Sequence, residues 1–258
     1  MKSTTYGLVL SGGGVRGMAH IGAIKALGEH GIHPTHIAGA SAGAIVGALY
    51  ASGYSCDEML SFFKNTSIFS INNYAYQKPG LIDTDKFYKI FLKQFPEDRF
   101  ESLHKKLFVS ATDIIAGINK IFDKGPLIHS VLASAAFPVV LSPLMIDGTL
   151  YADGGITNNF PVEPLQVHCD QIIGSYVSPL KKIRPADLNS SMSVLDRAFS
   201  IGMVSMSEQK FQFCNLLFIP PTLNKFATFS KSHIDEIYKI GYSEARKKLE
   251  TYERKLKL

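Results

Sequence analysis

At 258 residues and 46% hydrophobic content, the chain is long enough to bury one substantial core. Its formal net charge of +5 is modest, and its Lys and Arg residues are scattered up to the C-terminal tail, which argues against a nucleic-acid ligand and is compatible with weak attraction to anionic membrane surfaces. Three widely spaced cysteines, Cys56, Cys169 and Cys214, indicate neither a disulfide framework nor a zinc site.

The first fifty residues predict a βαβα unit with short connections. Residues 5–10 form a β-rich run that ends in glycines, and residues 17–30 carry apolar side chains at helical spacing. Residues 36–38 form a second strand-like run, followed by an apolar helix over residues 44–50. Strands that alternate with helices across short loops predict a parallel sheet covered by helices.

The remainder of the chain continues this alternation. We predict helices over residues 55–63 (opened by a capping box), from 83 or 84 onward, 127–136 (stopped by Pro138), 192–211 and 233–258. We predict strands at 107–112, 120–122, 171–177 and 215–219, a hairpin of 144–146 with 149–151 around Asp147-Gly148, and a loop over 178–191. No repeat or linker is visible, so a single domain over residues 1–258 is expected.

Phenylalanines recur along two of the predicted helices and beyond them. Their spacing is typical of core packing, and the alternative is that the rings line an acyl cavity or rest against a bilayer. The rings in question are Phe62, Phe63, Phe69, Phe87, Phe91, Phe95 and Phe100.

The pentapeptide Gly39-Ala40-Ser41-Ala42-Gly43 has the pattern G-x-S-x-G. A serine in this frame, between a strand and a helix, can sit on a sharp turn that exposes its hydroxyl as a nucleophile. The helix N-terminus would add backbone amides and a partial positive charge beside it. A plain helix start with a serine N-cap is the alternative.

The run Gly12-Gly13-Gly14-Val15-Arg16-Gly17 satisfies G-x-G-x-x-G, so a dinucleotide-binding loop must be considered. That fingerprint expects a carboxylate at the end of the second strand, where this chain has the serine turn instead. The other interpretation is an oxyanion hole, in which glycine amides stabilise a tetrahedral intermediate. Neighbouring strands of a βαβ unit would place this run beside Ser41.

A nucleophilic serine needs a proton acceptor, and the residues alone leave two choices. Asp153 followed by His168 or His233 matches the order of a hydrolase triad. Asp153-Gly154-Gly155 by itself places an aspartate on a tight, unobstructed loop after the predicted hairpin. A simple Asp-Gly turn is the structural alternative.

Taken together, the glycine run, the serine turn and Asp153-Gly154-Gly155 resemble the motifs of the patatin-like phospholipase family, in the family's order. Residues 133–138 and the pair Asn159 and Pro161 resemble further blocks, so the resemblance spans about residues 5–165. It implies a Ser–Asp dyad without histidine: Ser41 as nucleophile and Asp153 as base.

The same resemblance implies an oxyanion hole at Gly12, Gly13 and Gly14, within a motif supported by Arg16, Gly17, Gly39, Gly43, Gly154 and Gly155. Arg16 matches the family's basic residue, and orienting the loop or meeting a phosphate are both open roles for it. Beyond about residue 170 the resemblance assigns nothing.

We therefore expect a three-layer α/β/α fold with a mainly parallel sheet and a lipid acyl hydrolase acting on phospholipids, lysophospholipids or glycerides. An acyl-enzyme intermediate is expected, with no cofactor and no metal. No apolar run suggests a signal peptide or membrane span, so we expect a cytoplasmic protein with at most transient membrane contact. A non-catalytic lipid-binding module and a dinucleotide-binding protein remain the competing hypotheses. The oligomeric state is open.

Overall fold

A computed structural model describes residues 4–66, 84–138, 141–228 and 232–256. The strands are β1 (Tyr6–Leu10), β2 (His36–Ala40), β3 (Lys106–Asp113), β4 (Ile118–Phe122), β5 (Leu144–Ile146), β6 (Thr149–Asp153), β7 (Gln171–Ser175) and β8 (Leu216–Phe218). The helices are α1 (Met18–Glu29), α2 (Ala42–Ala51), α3 (Cys56–Asn65), α4 (Thr84–Gln94), α5 (Leu127–Ser134), α6 (Glu163–His168), α7 (Ser191–Glu208) and α8 (Ile234–Leu256).

The described strands form one mixed sheet whose central part is parallel. β8, β7, β1, β2 and β3 are neighbours in that order, and each pairs in parallel with the next. β4 and β6 pair antiparallel with β3, and β5 pairs antiparallel with β6. The predicted mainly parallel sheet is confirmed.

Side-chain alternation along the strands divides the core into two layers. Leu8 and Leu10 of β1 belong to the larger cluster, with apolar residues of α1, α2, α3, α5 and α8. Val9, between them, faces the other side and belongs to a second cluster with Leu165 of α6 and Val204 of α7. Successive residues of a strand point to opposite faces, so a strand buried on both sides is apolar throughout. The predicted helix–sheet–helix layering is therefore confirmed.

Most predicted elements are confirmed, with shifts of a few residues at their ends. The helix predicted over residues 127–136 is one exception of interest, because α5 ends at Ser134. The carbonyl oxygen of Ala136 instead accepts a hydrogen bond from the amide of Asp153 at 3.0 Å. The last two residues of the predicted helix, Ala135 and Ala136, therefore lie outside α5, and Ala136 pairs with the end of β6. Asp147 and Gly148 form the predicted two-residue turn, both with positive φ.

Six of the seven phenylalanines singled out from the sequence are core residues. The rings of Phe62, Phe63, Phe87, Phe91, Phe95 and Phe100 are buried in the larger cluster. Phe69 lies outside the described residues, as does the proposed helix start at Asp83. No helix of the described part of the chain has both the length and the apolar character needed to cross a bilayer.

Candidate active site

Ser41 occupies a strained turn between β2 and α2. Its backbone has φ 51° and ψ −121°, a conformation that residues with a side chain rarely adopt. A Cβ on Gly39 would lie 2.5 Å from the carbonyl oxygen of Gly43, and a Cβ on Gly43 would overlap the carbonyl oxygen of Leu10. Both glycines of the pentapeptide are thus required by close backbone contacts. The turn has the geometry that exposes a nucleophilic serine.

A buried serine from another helix holds this turn. The amide of Ser41 donates to Oγ of Ser134 at 2.8 Å, and Ser134 Oγ donates to the carbonyl oxygen of Ser110 at 2.6 Å. Ser134 is fully buried at the end of α5. We noted its sequence block as a family resemblance but assigned this residue no role. Its place in the block of residues 133–138 was the available signal, because α5 also contains the polar residues His129 and Ser130.

Asp153 reaches Ser41 because β2 and β6 meet end to end along β3. Ala40 of β2 pairs with Ser110, and Asp153 of β6 pairs with Ala111, the next residue of β3. β4 pairs with β3 from Val109 to Asp113 and so occupies the other edge along this stretch. β2 and β6 therefore share one edge, and their carboxyl ends converge. Ser41 and Asp153 both line the cavity at this point.

Asp153 is buried, with only 2% of the residue exposed. Its Oδ1 accepts a hydrogen bond from the amide of Gly155 at 2.7 Å, while Oδ2 has no partner of regular hydrogen-bond geometry among the described residues. Burial raises the pKa of Asp153 to about 6, against the opposing effect of hydrogen bonding from the Ser41 hydroxyl and the Gly155 amide. A carboxylate with such a pKa is ionised at neutral pH and is a stronger base than an exposed one.

The glycine run packs directly against the serine turn. A Cβ on Gly12 would lie 3.1 Å from Cβ of Ser41, and the amide of Gly12 donates to Oδ1 of Asn159 at 3.0 Å. Gly14 has φ 59°, a conformation unfavourable for residues with a side chain, and a Cβ there would also overlap the backbone of Thr228. Both observations explain why this residue is glycine.

Of the three amides expected to form the oxyanion hole, those of Gly12, Gly13 and Gly14, this geometry leaves two as candidate donors. The Gly12 amide is already paired with a buried side chain, so it is not free to bind an oxyanion. The amides of Gly13 and Gly14 donate to no acceptor within the described ranges, and both residues line the cavity. They remain the candidate donors.

Arg16 connects the glycine run to a distant segment. Its Nε and Nη2 donate to the carbonyl oxygen of Phe226 at 2.9 and 2.7 Å. Burial lowers the pKa of the guanidinium, and the charge of Asp196 opposes this shift. Of the two open roles for Arg16, these contacts favour orientation of the loop.

The remaining motif glycines allow close packing around the dyad. A Cβ on Gly17 would lie 2.8 Å from Cβ of Ala42, in the first turn of α2. A Cβ on Gly154 would overlap the carbonyl oxygen of Ser110, and one on Gly155 would lie 3.0 Å from Oδ1 of Asp153. The structure thus brings every motif residue singled out from the sequence to one region.

A cavity of about 300 Å³ opens over Ser41 and Asp153. Most of its wall is apolar, and Phe137 and Phe199 meet there edge to face, with ring centroids 5.2 Å apart. Further lining residues come from α7 and the preceding loop, including Leu180, Leu188 and Met203. Phe137 lies in the recognised block of residues 133–138 but was given no role, and the other lining residues named here lie beyond the recognisable motifs.

Histidines do not contribute to this cavity. All eight belong to the described part of the chain, and none lines it. His168 stacks on His36, at the opposite end of β2, and His233 pairs with Glu236 at 3.1 Å. His20 is fully buried between Ser175 and Ser11, and burial lowers its pKa to about 4, so it is a neutral core residue.

A dinucleotide-binding loop and a metal centre also find little support in this geometry. At the end of β2, where a dinucleotide fold has its ribose-binding carboxylate, Ala40 leads directly into Ser41. Within the described ranges, no group of three or more His, Cys, Asp or Glu side chains is arranged to hold a metal ion.

Comparison with known proteins gives a consistent result. A family model described as patatin-like phospholipase matches residues 8–165. An uncharacterized NTE family protein of Mycobacterium tuberculosis is 34% identical over 193 residues, which cover 71% of this chain and 53% of that protein. Lysophospholipase NTE1 of Candida glabrata is 26% identical over an alignment of 271 residues, gaps included, that covers 93% of this chain and 16% of that protein. The chain therefore spans about half the length of the mycobacterial relative and far less of the yeast protein.

Two solved structures share the fold. VipD from Legionella pneumophila aligns with a TM-score of 0.59 at 17% identity, covering 96% of this chain and 67% of VipD. The type III effector protein ExoU aligns with a TM-score of 0.51 at 15% identity, covering 96% of this chain and 53% of ExoU. At these identities the likeness concerns the fold alone.

Proposed function

This chain belongs to the patatin-like phospholipase family, and from that premise we propose that it hydrolyses carboxylic esters of lipids with a Ser41–Asp153 dyad. One observation carries the proposal: a serine on a strained turn faces the same cavity as a buried aspartate whose pKa is raised. No histidine is needed for the proton transfer.

In the first half-reaction, Ser41 Oγ attacks the ester carbonyl and its proton passes to the Asp153 carboxylate. The tetrahedral intermediate then collapses, and the leaving alcohol takes that proton from Asp153. The acyl group remains on Ser41. In the second half-reaction Asp153 accepts a proton from water, the hydroxide attacks the acyl-enzyme, and the proton returns to Ser41 as the fatty acid leaves.

The amides of Gly13 and Gly14 are the proposed donors to the developing oxyanion. Donors fixed in advance stabilise this charge without reorganisation, and loss of a single donor typically costs about 10²–10³-fold in kcat. Asn159 keeps the loop in place through Gly12 and Arg16 through the Phe226 carbonyl oxygen. The loop is thus anchored from two sides.

The cavity wall supports a lipid substrate. An apolar surface that contains the rings of Phe137 and Phe199 suits an acyl chain, and its charged residues include Lys181 and Arg197 near the same opening. We propose phospholipids, lysophospholipids or glycerides as the substrate class. A relative named lysophospholipase is in keeping with this class.

The test is labelling by a fluorophosphonate probe together with hydrolysis of a soluble medium-chain ester. We expect the wild type to label and turn over, Ser41→Ala to lose both, and Asp153→Asn to lose turnover. Ser130→Ala is the matched serine control, because this buried serine only bonds back to its own helix start, and it should stay active. A wild type that neither labels nor hydrolyses any ester would refute the proposal.

A further inference from the structure

Helix α7 carries apolar side chains on its outer face. Val194, Leu195 and Ile201 are 50%, 59% and 47% exposed. The inner face lines the cavity with Phe199 and Met203 and with the polar residues Ser193, Asp196, Arg197 and Ser200, and Val204 packs in the second core cluster. A surface helix normally buries its apolar stripe and leaves polar and charged side chains outside. Helix α7 instead carries apolar side chains on both faces, and those of its outer face are exposed to solvent.

The apolar surface extends from α7 to the cavity opening. Leu180 and Leu188, in the loop before α7, are exposed and also line the cavity. We call the set Leu180, Leu188, Val194, Leu195 and Ile201 the outer patch. Apolar surface of this kind, next to a binding cavity, marks a site that contacts another molecule or a membrane.

Cationic side chains lie in the same loop as Leu180 and Leu188 of the outer patch. Lys181, Lys182 and Arg184 are exposed in the same loop. Arg184 pairs with Asp187 at 3.4 Å, whereas Lys181 and Lys182 make no ion pair with any described residue. Exposed lysines beside apolar side chains are the combination that binds anionic lipid surfaces.

A second exposed apolar element lies near the dyad. Ile114 and Ile115, in the turn between β3 and β4, are 42% and 77% exposed. They follow Thr112, whose hydroxyl donates to the carbonyl oxygen of Asp153 at 2.8 Å. At about 3.4 Å per strand residue, Ile115 lies within roughly 10 Å of Thr112 along the chain. Apolar side chains therefore occur near the dyad on this turn as well as on α7.

We propose that the outer patch and its lysines dock the protein on an anionic lipid bilayer, with the cavity opening facing the lipid. The membrane is favoured as occupant because the patch combines apolar side chains with unpaired cations and is continuous with the cavity. An acyl chain would then enter the cavity without crossing water. The role given to this docking, delivery of a lipid substrate, depends on the proposed lipid hydrolysis. Binding to vesicles is measured independently of hydrolysis.

Binding is measured by flotation with vesicles of phosphatidylcholine, with and without phosphatidylglycerol. The Ser41→Ala variant is the reference protein because it leaves the lipid intact. Adding Val194→Ser and Leu195→Ser is expected to weaken binding to the anionic vesicles at least roughly tenfold. Val167→Ser is the control, since Val167 is 82% exposed on α6, at the opposite end of the sheet. Ile201→Ser is a second, independent change in the patch.

The electrostatic part is tested with one lysine. Lys182→Gln is expected to weaken binding to the anionic vesicles roughly fivefold and to have little effect at high salt. Lys124→Gln is the control, because Lys124 is exposed next to Asp123, which pairs with Lys106 at the start of β3. That position is at the opposite end of the sheet from the dyad.

The docking proposal is overturned if the reference protein ignores anionic vesicles, or if the patch variants bind as well as Val167→Ser. It is also overturned if the patch variants change the mass in solution but not vesicle binding, because the patch would then join two copies of the chain. Hydrolysis of a soluble ester, measured with Ser41 intact, should be unchanged by the patch variants. That assay separates failed docking from failed catalysis and from misfolding.

Discussion

Asp153→Asn should abolish turnover and, at neutral pH, stabilise the protein. The pKa of Asp153 rises from 3.8 to about 6 on folding, mainly because the carboxyl is buried. The native state therefore holds this proton more tightly than the unfolded state. The contribution of Asp153 to the free energy of unfolding is therefore greatest below pH 4, falls as the pH rises from about 4 to 6, and is smallest above that range.

The size of the effect follows from the shift. A shift of about two pKa units, at about 1.4 kcal/mol per unit, means that Asp153→Asn raises the free energy of unfolding by at most about 3 kcal/mol at pH 7 to 8. For a chain of this length, that corresponds to an increase in Tm of roughly 5–10 °C. The Asn side chain keeps an oxygen to accept the Gly155 amide and never carries the buried charge.

Thermal unfolding followed by circular dichroism from pH 4 to pH 8 measures the difference between variant and wild type. The difference should be near zero at the acid end and grow through pH 6. Asp147→Asn is the control, because Asp147 is exposed in a turn whose positive φ asparagine also tolerates. Parallel pH curves for Asp153→Asn and wild type would refute the buried-carboxylate argument, and retained turnover would refute its role as base.

Three further predictions concern the groups that position the dyad. Asn159→Ala should lower kcat by roughly 10- to 100-fold with little change in KM, because the Gly12 amide loses its side-chain acceptor and keeps only the longer bond to the carbonyl oxygen of residue 159, so that the loop shifts. Steady-state kinetics on a soluble ester measures this. Ser134→Ala should lower the free energy of unfolding by about 1–3 kcal/mol in urea denaturation, because the amide of the nucleophile loses its acceptor; an unchanged value would contradict this. Gly43→Ala should prevent soluble expression, because its Cβ would overlap the carbonyl oxygen of Leu10. Gly202→Ala is the control: its Cβ meets nothing within 4 Å, and the free energy of unfolding should stay the same or rise by about 0.5–1 kcal/mol.

Local sequence patterns predicted most of the secondary structure. The capping box at Ser55, the turn at Asp147-Gly148 and the alternation of apolar strands with amphipathic helices all depend on residues close in the chain. Errors occurred where a distant contact overrides local preference. Ala136 leaves the predicted helix because its carbonyl oxygen pairs with the amide of Asp153.

The motifs also indicated most residues of the candidate site. They indicated the serine turn, the glycine run and Asp153, because tight turns and close backbone contacts require particular residue types at fixed spacing. They included Ser134 and Phe137 in the block of residues 133–138 without giving them a role, and they did not include Phe199. The roles of these residues come from their positions in space. Nor did they show that the Gly12 amide is paired with Asn159.

By itself, the sequence determined the strand and helix order, the strained serine turn and the candidate aspartate. Only the tertiary structure decided how Ser41 and Asp153 meet, on strands that end face to face along one edge of β3. The physical reason is that this pairing depends on strand register between segments far apart in the chain. No local pattern specifies such a register. The burial that raises the pKa of Asp153 likewise arises only when the layers close around it.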